Sequence, residues 1–374
     1  MWPLYAGGFL GPFGGAMVTP MLPELADGLH TTLTVAASSL TAYLIPFASI
    51  MVVSGTLAER WGRRRTVQVA YAAYAVASLV CAVAPTAPLF LTARAFQGAA
   101  NAFITPVLVA AISDLVAPGR LGRALGWYAS LQAAGQAFAP LIGGVAAAVQ
   151  WRLAFIVTVA AALLLAVLPP AQAPRSHSAA PARWRSLLNA PLALACALAF
   201  LLYQVAMGMT VLVALVGDDR FGLTPDARGL VVAGFGAAGL AAGGQLGGVF
   251  DRVGARVLGL SAMLATAAAA ALLSVTGNLV LLVLLVAIAG AANTAGRVTV
   301  NSMAVRSTPG NRSGATSMML AWQFLGGALA PLILLPIYHH GAAQAFWVPA
   351  GAGALAALLY AGAVGRRRFA VATP

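Results

Sequence analysis

Long apolar runs, each ended by a short polar break, follow one another along almost the whole chain. A helix that crosses a bilayer needs about 20 mostly apolar residues. On that measure the pattern predicts about twelve spans: residues 3–23, 32–54, 66–84, 87–112, 123–148, 152–169, 191–215, 227–249, 256–275, 279–303, 314–338 and 343–364. The runs are rich in Ala, Leu and Gly and lack the period-two alternation of a barrel strand, so helices are expected. The first run has neither a basic leader nor a convincing cleavage site, and a retained helix is expected there rather than a signal peptide.

The polar breaks set the topology. All 21 basic residues are arginine. With the N-terminus placed inside, sixteen of them fall in inner loops or the C-terminal tail, three (Arg152, Arg220, Arg228) in outer loops, and Arg94 and Arg297 within spans. Positive residues gather on the cytoplasmic side, so both termini are expected there, in a prokaryotic cytoplasmic membrane. The longest hydrophilic break, 170–190, predicts a flexible inner linker between a bundle at 1–169 and another at 191–374.

Composition excludes other classes. Hydrophobic residues make up 61% of the 374 and charged residues only 8%, against roughly 25% charged in soluble domains. The net charge of +13 sits in short runs between spans, which argues topology rather than nucleic-acid binding. Cys81, Cys196 and four scattered histidines show no disulfide or metal spacing. There is no nucleophile elbow or phosphate loop. No cofactor, metal or enzymatic activity is expected.

The halves match at one offset. Gly98-Ala99-Ala100-Asn101 returns as Gly290-Ala291-Ala292-Asn293, shifted by 192; Ala139-Pro140-Leu141-Ile142 returns as Ala330-Pro331-Leu332-Ile333, and Gln132 as Gln323, shifted by 191. Several short matches in order at one spacing imply two six-helix repeats in the same orientation, with a site at their interface.

After the second span comes Gly55-Thr56-Leu57-Ala58-Glu59-Arg60-Trp61-Gly62-Arg63-Arg64-Arg65, expected to form a tight turn whose glycines permit close backbone approach. Its echo around Asp251, Arg252 and Gly254 lies 192 residues on. The sequence here resembles the major facilitator superfamily. The segment is similar to that family's loop signature between helices two and three; Leu91, Arg94, Gln97 and Gly98 resemble its fourth-helix signature. Gly135, Pro140, Gly143 and Gly144 resemble the fifth-helix signature of antiporters, with Ala139 in place of a usual Gly. Pro20-Met21-Leu22-Pro23 resembles the end of helix one in the drug/proton antiporter branch.

The resemblance implies an all-α fold of two pseudo-symmetric bundles that alternately open a central cavity. It implies an inner latch at Gly55, Glu59, Arg60, Gly62, Arg63, Arg64, Asp114, Asp251 and Arg252. In that latch Glu59 would meet the start of helix eleven near Ser313 and Gly314, and Asp114 would pair with Arg63 or Arg64. The fifth-helix residues would form a smooth packing face.

Charged residues within a span usually mark function. Arg94 shares a helix face with Asn101, and Asn293, Arg297 and Asn301 recur every four residues. With Gln132, Gln136 and Gln323 they form the expected cavity and coupling set. All eight acids lie at or beyond span ends. An electropositive cavity favours neutral or anionic cargo, and the missing mid-span carboxylate argues against the usual proton exchange. The expectation is therefore a monomeric exporter of small amphiphilic molecules, with protons as candidate coupling ions and the bilayer as its other partner. The alternatives are a facilitator or importer of a small metabolite, and a transport-inactive sensor or scaffold.

Overall fold

The computed structural model describes residues 2–116, 118–168, 187–308 and 311–365; within helices, some side chains near the polar breaks are not described. Among the described residues every regular element is helical. The helices are α1 (Trp2–Ala16), α2 (Leu22–Gly28), α3 (Leu33–Trp61), α4 (Arg63–Val83), α5 (Ala87–Leu115), α6 (Pro118–Val149) and α7 (Arg152–Val167). They continue with α8 (Ala190–Asp219), α9 (Pro225–Val275), α10 (Leu279–Ser307), α11 (Arg312–His340) and α12 (Ala342–Gly365). Nine helical segments of these are long and apolar enough to cross a membrane.

Three of the expected spans take a different form. The first is not one helix: α1 ends at Ala16, a 3-10 turn covers Thr19–Met21, and α2 follows. Pro20 and Pro23 each stand within the first two positions of the element they open, where a missing N–H costs nothing. The eighth and ninth spans run together as α9, with Gly254 at φ 79 and ψ 156 inside it. Gly62, 192 residues earlier, has φ 90 and ψ 116 and separates α3 from α4. Both halves thus bend on a glycine in a region that L side chains avoid. The expected turn at 55–65 narrows to Gly62 alone, because α3 stays helical through Trp61. No described atom lies within 4 Å of where a Cβ would stand on Gly55 or Gly62.

Side-chain caps fix several helix starts. Thr32 accepts from the Val35 amide at the start of α3. Asn278 accepts from Val280 and Leu281 at the start of α10, and Asn311 from Gly314 at the start of α11. Each satisfies amides that the first helical turn leaves open.

The chain divides into two compact units, Met1–Ala180 with Val213–Gly236, and Pro181–Leu212 with Ala237–Pro374. In the first, α1 packs on α6, α3 on α5, and α4 on both α5 and α7. The expected linker at 170–190 lies outside the described residues through 186.

The repeat reappears in the joints of each unit. A Cβ on Gly135 would collide with the carbonyl oxygen of Phe9; one on Gly326 would collide with that of Phe200. Both glycine and aromatic are shifted by 191. A third joint keeps the shift but exchanges the small partner. Gly143 faces the Met17 carbonyl in the first unit, whereas in the second Gly208 occupies the place of Met17 and faces the Leu334 side chain.

Candidate functional site

Arg94 is fully buried in the first unit. Its Nη1 donates to the Gly14 carbonyl at 3.0 Å and to the Gln97 side-chain oxygen, and its Nε donates to the Ser39 carbonyl at 3.5 Å. The guanidinium lies 4.4 Å over the Tyr43 ring. Gln97 passes the chain on to Ser78 at 2.7 Å, and Ser78 donates to the Tyr74 carbonyl. One arginine therefore ties α5 to α1, α3 and, through Gln97, α4. Its Nη2 has no hydrogen-bond partner among the described residues, and no ion pair to it is seen among them. A buried cation is expensive unless paired; here carbonyl dipoles and an aromatic face do the work of a counter-charge.

Two turns further along α5 from Arg94, Asn101 donates to Tyr43 Oη at 2.8 Å and to the Gly11 carbonyl at 3.4 Å. In the second unit Asn293 donates to the Leu202 carbonyl at 2.9 Å. Asn293 follows Asn101 by 192 residues and Leu202 follows Gly11 by 191, so the two bonds are counterparts. Arg297, half-buried, lies 5.9 Å from the Tyr203 ring, which meets Phe324 edge-on. Gln323 is buried, while Gln132 and Gln136 are half-buried on α6. Arg94 and Asn101 thus meet in one cluster and Asn293 lies beside the Tyr203 segment in another. Gln132 and Gln323 share no hydrogen bond with either arginine among the described residues.

The fifth-helix residues all take part in close packing. Gly135 faces Phe9 of α1 and Gly143 faces Met17 just past its end, while Pro140 and Gly144 face the opening turn of α9 at Pro225 and Gly229. Of the latch residues, Arg60 and Arg64 are exposed, Arg63 is half-buried, and Gly62 carries the positive φ. The side chains of Glu59, Asp114, Asp251, Arg252 and Ser313 lie outside the described residues.

One site was missed from sequence. Arg228, expected in an outer loop, is buried in the first turn of α9 and forms ion pairs with Glu24 of α2 and, at 3.3 Å, with Asp218 of α8. Burial pushes the Glu24 carboxyl above its ordinary value, opposed by its own backbone hydrogen bond and by the Arg228 charge. Glu24 Oε2 is buried with no partner among the described residues. The available signal was the count: five of the eight acids fall in the expected outer breaks, three of them (Asp218, Asp219, Asp226) beside Arg220 and Arg228 and two (Glu24, Asp27) in the break after the first span.

Described residues that are helical in every regular element, with nine candidate membrane spans among them, twin joints at a 191-residue shift and an arginine locked inside a bundle define a polytopic membrane protein built from two repeats. The family model of the Major Facilitator Superfamily matches residues 4–242 and 205–373. The chain belongs to that superfamily, one of transporters rather than enzymes. It is 32% identical over 162 residues to the multidrug efflux pump LfrA of Mycolicibacterium smegmatis, covering 43% of this chain and 32% of that one. It is 32% identical over 151 residues to a multidrug resistance protein B homolog of Mycobacterium tuberculosis, covering 40% and 28%. The matched stretches span less than half the length of these curated relatives. Among solved structures, a bacterial homolog of the human lysosomal transporter Spinster, inward-facing and unoccupied, superposes with TM-score 0.81 at 15% identity, covering 99% of this chain and 98% of that one. That likeness shows the fold alone.

Proposed function

We propose that the protein is a secondary transporter that exports small amphiphilic molecules, neutral or anionic, across a prokaryotic cytoplasmic membrane by alternating access. It works as a monomer with both termini inside. The observation that carries the proposal is Arg94, a cation held in the middle of a bundle by carbonyls and a tyrosine face rather than by a carboxylate. Export is supported by the relatives named for drug efflux and resistance. Of the nine candidate spans, only Ala190–Asp219 contains acids, both at its last two positions. Candidate spans that carry positive charge and no acid away from their ends disfavour lipophilic cations and favour neutral or anionic cargo.

Within the cycle Arg94 is the coupling residue. Its bonds to Gly14 and Ser39 must change if α1 and α3 move against α5, so a ligand that competes for the unpartnered Nη2 shifts that equilibrium. Arg228 serves as a second device: it ties α2 to the turn between α8 and α9, and opening that turn separates the pair. A proton is the candidate counter-ion. Spans without mid-membrane acids favour a second reading, flux down the cargo's own gradient.

The test is reconstitution in proteoliposomes with an internal pH-sensitive dye, challenged with matched neutral, anionic and cationic compounds. Substrate-evoked proton movement that disappears in Arg94→Ala supports coupled export. Flux without a proton signal selects the facilitator reading. Transport of the organic cation equal to or better than that of its neutral and anionic partners overturns the cargo assignment.

A further inference from the structure

An apolar groove of about 910 Å³ runs along the first unit between α4 and α5. Its floor is alanine, chiefly Ala70, Ala77, Ala93 and Ala100, all buried; its walls, including Val69 and Phe96, are exposed. At one end Trp61 stacks on Phe103 with centroids 5.9 Å apart. Arg65 lines that same end and is the one charged residue lining the groove among those described. Both flanking helices are candidate membrane spans, so the groove opens toward lipid.

We infer that this groove holds one acyl chain of an anionic phospholipid whose phosphate is bound by Arg65. The groove is long enough for a lipid tail: Arg65 to Val80 is fifteen residues, about 22 Å at 1.5 Å per residue, more than the roughly 15 Å that one leaflet contributes to the hydrocarbon core. A floor of methyl groups between taller walls gives a chain contacts on three sides, which a flat helix face does not. The charge lies where a headgroup would be. Arg64 and Arg60, both exposed, add to Arg65 at the polar end. The first turn of α4 begins at Gly62 with no side-chain cap, leaving amides and the positive end of the helix on the same side as these arginines. An arginine at this depth can lay its stem along the apolar wall and keep its guanidinium at the surface. An anion is therefore preferred over a zwitterion, and a tail over a free phosphate.

The experiment uses the full chain in nanodiscs carrying equal amounts of phosphatidylglycerol and phosphatidylcholine with matched tails, extracted into mild detergent and examined by native mass spectrometry. One phosphatidylglycerol is expected to remain bound in preference to phosphatidylcholine by about tenfold. Arg65→Gln brings the two lipids to near parity. Ala73→Phe, at an exposed groove position, lowers retention of both, and Ala73→Leu does so to a lesser degree should the larger change impair folding. The proposal is overturned if Arg65→Gln leaves the preference intact or if neither Ala73 variant alters retention. It is equally overturned if the groove is filled by a second copy, seen as a dimer that Ala73→Phe dissolves.

Discussion

In the first repeat a buried arginine is gripped by carbonyls of α1 and α3 and by a glutamine of its own helix. In the second repeat the corresponding position, 192 residues on, is Val286, and the arginine sits instead at 297, where its counterpart is Thr105. Yet the joints around both clusters agree: an asparagine bonded to a carbonyl, and a glycine pressed against an aromatic residue's backbone. The comparison separates two kinds of constraint. Backbone approach is set by how helices pack, so it survives in both halves. Charge is placed in each half at a position of its own, and in that the halves are free to differ.

Arg94→Ala should break the comparison most. Flux in proteoliposomes is expected to fall more than about a hundredfold, while Arg297→Ala lowers it by about tenfold or less, each tenfold being about 1.4 kcal/mol. Equal losses would mean that the two clusters act alike. Gly135→Val and Gly326→Val should each destabilise by roughly 1–3 kcal/mol through overpacking, read as matched falls in the thermal midpoint. A loss at one alone would break the equivalence of the joints. Asn101→Ala and Asn293→Ala should cost less, about 0.5–2 kcal/mol each, with Asn101 the larger because it also holds Tyr43.

The smallest effect is one of pH. The Glu24 carboxyl is raised above its ordinary value of 4.5, chiefly by burial. The paired arrangement therefore holds the proton more tightly than any arrangement that exposes Glu24. Its stability gain is complete below 4.5 and is lost as pH rises through the raised value. Labelling of a cysteine placed at Asp27, normalised to its thiolate fraction, should slow as pH falls through that window, and Glu24→Gln should flatten the normalised response. A rate that climbs on acidification would show that the ion pair with Arg228 dominates over burial.

Much of this was legible in the chain. The spans follow from run length, the Arg94–Asn101 face from helical spacing, Gln97 from the family signature, and the repeat from one offset. The partners of Gly135 and Gly326 were not legible, because the glycines meet carbonyl oxygens, which every residue has; the sequence at 9 and 200 carries no mark of it. Arg228 was placed in a loop because periodicity gives no depth at a span's end, and only the structure brings Glu24, over 200 residues away in sequence, to its guanidinium. The division of units differs from the simple halves for a related reason. Gly144 and Pro140 let the opening turn of α9 come close to α6, and Val213–Gly236 groups with the first unit.

The exchanged glycine has a consequence for how such chains drift. At the joint of Met17 with Gly143 the small residue lies on α6, and at the joint of Gly208 with Leu334 it lies on the other helix. The clearance belongs to the pair and not to either position. Across relatives these two columns should covary inversely, bulk on one side accompanying a bare α-carbon on the other. Each column scored alone would look permissive.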